Sequence, residues 1–344
     1  MYHQLNRITL KSGEVVQAGV VQGPDLDWAE HVETLLSHKG PSWRWGNEQV
    51  LRTQTGLDVF FYLLHRDGDP FANIMTIEYR GVGLLGHVYT RPEDRRQGAA
   101  MQLMACLMEH FRQRGGQALF LGTGYDTPPY HIYRVNGFAG VEPESGYMDY
   151  YSTSQDEFDR AYFAPGSTAI EPVGWLHWPV SIPLFLGAFP GVVRGAGLGV
   201  WGRRSTEGPL LPLLQDSLER DASDLPPRAL ALVQQETRAV VGWAMWSDHP
   251  LWPDACLVDL YCHPAFWDEG AALIQVLELP ESHTCLAYCD AGLDPKAAAL
   301  TVAGFRCGAT LNQRVAADRA QTGWVDVEVW ENKGSFQADG SVVH

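Results

Sequence analysis

Apolar residues in this chain recur at two periods, and the switch between them marks out its elements. Short runs rich in β-branched and aromatic residues predict strands over 14–21, Asp58–Arg66, 72–80, Val82–Thr90 and Ala118–Gly122. Helical spacing takes over at Trp28, Val32, Leu35 and Leu36, just after Asp25-Leu-Asp27, where a carboxylate can accept the first free amides of a helix. It returns at Leu103, Met104, Leu107, Met108 and Phe111, and this second helix runs into the stop signal Gly115-Gly116. Asp67-Gly-Asp-Pro70 reads as a turn, and 41–46, Pro-Ser-Trp-Arg-Trp-Gly, as a loop with two tryptophans.

Between the strand Val82–Thr90 and the helix after it, Arg95, Gly98 and Ala100 stand at the spacing R-x-x-G-x-A. Small residues there let a phosphate approach the backbone, and the free N–H groups of the helix start form an anion site. Arg95 and Arg96 add charge to it. The stretch resembles the acetyl-CoA pyrophosphate loop of the GNAT N-acetyltransferases, [Q/R]-x-x-G-x-[G/A], and Thr90-Arg91-Pro92-Glu93 resembles that family's V-x-P-E lead-in. Farther on, Tyr133-Arg-Val-Asn-Gly137-Phe138 resembles the end of the second GNAT signature, Asn-x-x-Ala-x-x-x-Tyr-x-x-x-Gly-Phe. Here Asp126 replaces the Asn and Pro129 the Ala, and the prolines at 128 and 129 predict an altered helix start. With 147–151 as a closing strand, residues 1–151 have the element order β-α-β-β-β-α-β-α-β-β of one GNAT module.

The rest of the chain repeats this plan in faded form. Strands are expected at 228–236, 240–247 and Ala255–Cys262, with an alternating last strand over 323–330. Pro264, Gly270 and Ala272 match Pro92, Gly98 and Ala100, Gly270 lying 172 residues after Gly98. Gly304-Phe305 matches Gly137-Phe138 at an offset of 167. In this copy Trp267-Asp268-Glu269 replaces Arg95-Arg96-Gln97, and Leu300 replaces Tyr133. Two carboxylates beside a diphosphate repel it, so this copy is expected not to bind CoA. The expected organisation is an α/β fold of the α+β kind: two tandem GNAT folds, each a mixed, mostly antiparallel twisted sheet flanked by helices. The boundaries are 1–151 for the intact module, 152–170 for a linker, 171–335 for the degenerate module and 336–344 for a flexible tail.

The resemblance implies direct transfer of acetyl from acetyl-CoA to a primary amine of a small molecule or peptide. It places Val88, Tyr89 and Thr90 along the pantetheine, with the Val88 N–H on the thioester carbonyl. Arg95, Arg96, Gln97, Gly98, Ala99 and Ala100 hold the pyrophosphate, Asp126 lies beside the thioester end, and Tyr133 protonates the departing thiolate. The base is open. Several GNATs carry Glu early in strand four, where this chain has Leu84. His87 faces away from the cleft unless a bulge turns the strand, and Glu78, Asp126 and solvent are the other options. For the acceptor mouth, Trp43, Trp45, Asn47 and Glu48 form one wall and Tyr147, Tyr150 and Tyr151 the other, an aromatic and acidic lining suited to an ammonium. A tryptophan patch packing against the second module is the competing reading. An acyl-CoA-binding, sensor or interaction protein without turnover is the alternative function.

Composition narrows the partners. A formal net charge of −16 over 344 residues argues against nucleic acid and for a cationic or neutral acceptor. The six cysteines include no C-x-x-C pair, so free buried thiols in a reducing compartment are expected, and no metal site. Residues 173–193 carry no Asp, Glu, Lys or Arg, but Pro179, Pro183 and Pro190 interrupt them, so no membrane span is expected. With no apolar signal core near residue 1, the reading is a cytoplasmic monomer or homodimer.

Overall fold

In the computed structural model, which describes residues 1–280 and 284–333, the strands assemble into two large open sheets with a helix wedged between them. The first half contains β1 (Tyr2–Thr9), β2 (Val15–Gly23), α1 (Leu26–Leu35), α2 (Pro41–Arg52), β3 (Asp58–Arg66), β4 (Asp69–Tyr79) and β5 (Val82–Thr90). It continues with α3 (Ala99–Gln113), β6 (Ala118–Gly122), α4 (Pro128–Val135), β7 (Ala139–Gly140) and β8 (Tyr147–Tyr151). Its sheet runs β1-β2-β3-β4-β5-β6-β8-β7 and is antiparallel throughout except between β5 and β6.

The second half contains α5 (Gln155–Tyr162), β9 (Thr168–Pro172), α6 (His177–Leu186), β10 (Val193–Gly195), β11 (Val200–Trp201), α7 (Leu210–Asp221), β12 (Ala229–Gln234) and β13 (Val240–Asp248). It ends with β14 (Ala255–Cys262), α8 (Trp267–Val276), β15 (Thr284–Asp290), α9 (Asp294–Val302), β16 (Arg306–Ala316) and β17 (Trp324–Lys333). The second sheet runs β16-β17-β15-β14-β13-β12-β9, again with one parallel pair, β14 and β15. Both sheets are thus mixed and mostly antiparallel, as the duplicated pattern predicts.

The uncharged stretch is α6, and every residue from His177 to Leu186 is buried. A helix apolar all round needs a protein surface on each side, and α6 packs on β4 and β5 in one direction and β13 in the other. The two halves therefore share one hydrophobic core, which runs from Val21 and Phe61 through Trp178 and Phe185 to Trp243 and Tyr261. Among the described residues no helix is long and apolar enough to cross a membrane.

Three expectations change. The segment 152–170 is not a bare linker. Ser154 and Glu157 form a reciprocal capping box that starts α5, whose Phe158 and Tyr162 are buried, and β9 joins the second sheet from Thr168. Residues 41–46 are not a loop but the start of α2, with Pro41 at the first helical position and Gly46 so close to Leu211 of α7 that an added Cβ would sit 3.0 Å from its Cδ2. Of the six cysteines four are buried, while Cys307 is exposed and Cys106 partly so. The tail expected at 336–344 lies outside the described residues.

Candidate active site

β5 and β6 pair in register only from Val82–Leu84 to Ala118–Phe120 and then part company, leaving a wedge between Gly86 and Gly122. On its other side β5 carries a bulge: Asn73 pairs with Tyr89 and Met75 with Gly86, so Ile74 alone faces His87 and Val88. His87 takes a left-handed conformation, φ 55°, to make this possible. The bulge buries its ring, whose Nε2 lies 2.8 Å from Asn47 Oδ1, while its carbonyl accepts from Asn73 Nδ2 at 3.0 Å. Burial, helped by Lys39 and His38, pushes the His87 pKa down to about 3. Burial makes this imidazole a weak base, and its Nε2 is already engaged by Asn47.

Below the wedge, Arg96 at φ 63° and Gly98 at φ 82° turn the chain sharply into α3. The first helical bond runs from Gln102 N–H to Gly98 O at 3.1 Å, so the amides of Ala99, Ala100 and Met101 are outside the helical ladder. They line a cavity of about 510 Å³ whose walls include Lys11, Val88, Tyr89, Thr90, Arg95 and Arg96 and whose far side is Pro128, Pro129 and Ile132. Arg95 is steadied by its Nε donating to Thr90 O at 3.1 Å, and the nearby Asp94 carboxylate is taken up by Arg66 at 2.7 Å. The loop thus presents a positive, amide-lined floor. Gln97 stands apart, its carbonyl accepting from the Lys11 N–H at 3.1 Å.

The other predicted residues separate. Tyr133 is buried at the inner end of α4, and burial followed by the nearby Glu207 carboxylate raises its pKa. Trp43 faces the wedge, in edge contact with His87 at 4.7 Å. Trp45 stacks on Trp175 at 5.4 Å, which makes it interface packing. Glu48 is exposed and borders a different cavity of about 280 Å³ with Arg44 and Glu33. Glu78 is fully buried beside Gly83, at the paired end of β5, and is held by Thr76 and a two-pronged contact from Arg114 at 2.8 and 2.9 Å. Asp126 is exposed and pairs with His131 at 3.1 Å. Neither carboxylate lies in the wedge. Tyr147 covers Gly122, but Tyr150 packs under α3 and Tyr151 bonds Asp149.

One residue in the wedge has no counterpart among the predicted ones. Glu207 comes from the second half, and its Oε1 lies 3.0 Å from where a Cβ on Gly86 would stand. Burial pushes its pKa up to about 8, opposed by the Lys39 ammonium and by the nearby Gly122 N–H. Spacing does not point to it. The available signal is that Glu207 is the sole acidic residue between Glu171 and Asp216.

In the second half the equivalent wedge is filled. β14 and β15 pair from Ala255–Val258 to Thr284–Ala287, and beyond them the chain's own 192–197 enters. Asp259 accepts from the amides of Ala196 and Gly197 at 2.8 and 2.7 Å, and Asp290 from those of Val192 and Val193. Lys296 Nζ donates to Val193 O at 2.9 Å. The glycine-rich 194–199 belongs to the β10–β11 hairpin that makes this plug. The loop below is gone too: α8 begins at Trp267, so the residues matching Arg95 to Gly98 are wound into helix. Gly270 is there for packing, since an added Cβ would meet Cys262 Sγ at 2.9 Å.

No curated protein matches the chain. Among solved structures, PaiA N-acetyltransferase from Thermoplasma acidophilum in complex with coenzyme A is 14% identical, covering 38% of this chain and 98% of that one, with a TM-score of 0.30. The yncA protein from Salmonella typhimurium, solved with its cofactor acetyl-CoA, is 16% identical, covers 52% and 100%, and has a TM-score of 0.37. Ribosomal-protein-S5-alanine acetyltransferase from Vibrio fischeri is 11% identical, covers 49% and 94%, and also scores 0.37. The family model described as acetyltransferase (GNAT) family matches residues 26–138, which span the bulged β5, the amide-lined loop and Tyr133. Residues 26–138 of this chain are therefore a GNAT acetyltransferase-family domain.

Proposed function

We propose that this protein moves the acetyl group of acetyl-CoA to a primary amine of a small molecule or peptide, directly and within a ternary complex, and that the first module does the chemistry. Family membership supports acetyl transfer from a CoA thioester in general terms. The observation that carries the finer reading is the continuity of the 510 Å³ cavity from the loop at Arg95–Ala100 up to Val88 at the mouth of the wedge. The amides of Ala99 and Ala100 and the guanidinium groups of Arg95 and Arg96 suit the diphosphate. The bulge leaves Val88 at the height of the thioester, where its N–H is the donor to the carbonyl oxygen. The phenol of Tyr133, deeper in, serves the leaving thiolate, since its ordinary pKa is close to that of a thiol. The net charge of −16 favours an acceptor that arrives as an ammonium.

Calorimetric titration of acetyl-CoA into wild type, Arg95→Glu and Gly98→Trp tests the loop. Gly98 has φ 82°, which a side chain strains, and an indole there fills the cavity. Both variants are expected to lose affinity by about 100-fold, ~2.7 kcal/mol. Unchanged affinity in folded protein overturns the assignment.

A further inference from the structure

We propose that Glu207, carried by the second module, is the group that takes the proton from the acceptor amine in the first module's cleft. The inference rests on the acetyl-transfer reading and adds to it the base that β5 itself lacks.

Geometry comes first. Glu207 Oε1 sits beside Gly86, two strand residues before Val88, and the Gly122 N–H on the opposite strand is near enough to favour the charged carboxylate. Its carboxylate therefore spans the gap between β5 and β6. Glycine at 86 leaves room for the carboxylate, since a Cβ there would lie 3.0 Å from Oε1. The backbone of Glu207 is fixed from its own module: its carbonyl accepts from Trp178 Nε1 at 2.8 Å, and its N–H donates to Ser205 Oγ at 3.1 Å. The preceding Thr206 is fully buried and bonds Ser181 of α6 at 2.9 Å.

The surroundings suit a base. No Lys or Arg makes a salt bridge to this carboxylate among the described residues, unlike Glu78. The titratable groups that face it are Lys39, from the α1–α2 connection, and Tyr133, from α4, with His38 and His87 behind Lys39. Burial outweighs the pull of Lys39 and pushes the carboxyl up to about 8, within the range that suits a general base. In the step, Glu207 accepts one proton from the ammonium, and the freed lone pair forms the bond to the thioester carbon. The C–S bond then breaks with its electrons on sulfur. Tyr133 protonates the thiolate, and the second amine proton restores the phenol or leaves to solvent.

The test uses the full chain with Glu207→Gln and Glu207→Asp. Acetyl-CoA affinity is measured by calorimetry, and thiol release is followed with spermidine, kanamycin and a peptide bearing a free amino terminus. Carboxyl titration is followed by NMR of protein labelled with 13C at the glutamate carboxyls, Glu207 being assigned by difference from Glu207→Gln. Expected are affinity within about twofold of wild type, at least ~100-fold slower thiol release in Glu207→Gln, partial recovery in Glu207→Asp, and a pH-rate rise in wild type that the Gln variant lacks. The NMR arm needs no acceptor and is expected to show Glu207 titrating near 8. Full turnover in Glu207→Gln, or an ordinary acidic titration in the NMR arm, overturns the proposal. Failure of wild type to bind acetyl-CoA overturns the acetyl-transfer reading instead.

Discussion

The molecule contains the same wedge twice, and the two copies have opposite fates. In each sheet one parallel pair of strands separates after a few residues, β5 from β6 and β14 from β15. In the first the gap opens onto a 510 Å³ cavity with unpaired helix amides at its floor. In the second it is closed by 192–197, pinned by Asp259, Asp290 and Lys296, and the loop beneath has become the first turn of α8. One continuous segment connects the two outcomes. Residues 192–201 plug the second wedge, and a few residues later the same strand of chain delivers Glu207 into the first. The half whose own wedge is plugged thus places a carboxylate in the other.

Perturbing matched positions sharpens this contrast, the largest effect being expected at the plug. Asp259→Ala leaves the Ala196 and Gly197 amides without their acceptor and removes a negative charge that acts on the buried Lys296. A loss of ~2–4 kcal/mol is expected, read as a lower urea midpoint. Thiol release should fall with it, because the loosened hairpin leads directly to Glu207. Equal loss of stability with unchanged turnover would break the link between the two wedges. Gly270→Ala is expected to lower stability by ~1–3 kcal/mol, since its Cβ meets Cys262 Sγ at 2.9 Å, and to leave acetyl-CoA affinity unchanged. Weakened binding there would mean that the second loop still contacts cofactor, the reverse of the contrast with Gly98.

The smallest expected effect lies at Lys39→Met. The ammonium lowers the Glu207 pKa, so removing it favours the protonated carboxyl and moves the rising limb of the pH-rate profile above its wild-type midpoint near 8. The shift should be a fraction of a pH unit, measured on the acceptor that turns over fastest. A shift to lower pH would contradict the placement of Lys39 beside this carboxylate.

Local chemistry is what the chain makes readable. The R-x-x-G-x-A spacing needs only a turn and a helix start, both set within a few residues, and Arg95, Gly98 and Ala100 come together around one cavity. Asp25 caps α1 as its position implies, accepting from Asp27 and Trp28 N–H. The readings that changed depend on distant partners. Pro41–Gly46 looks like a loop until α7 gives Gly46 a surface to pack against. Glu78 looks available until Arg114 from α3 pairs with it. His87 is turned by the bulge and its basicity lowered by burial, and periodicity encodes neither.

From the sequence by itself follow the two element patterns, their duplication, and the loop motif in which the two copies differ. Each is a property of neighbours along the chain, governed by side-chain spacing and backbone stereochemistry. Only the tertiary structure decides that the second cleft is filled by its own chain, and that a carboxylate from that half stands beside Gly86. The physical reason is α6. Buried on all sides, it presses the two sheets onto one core and so brings together residues about a hundred positions apart, between which no local rule operates.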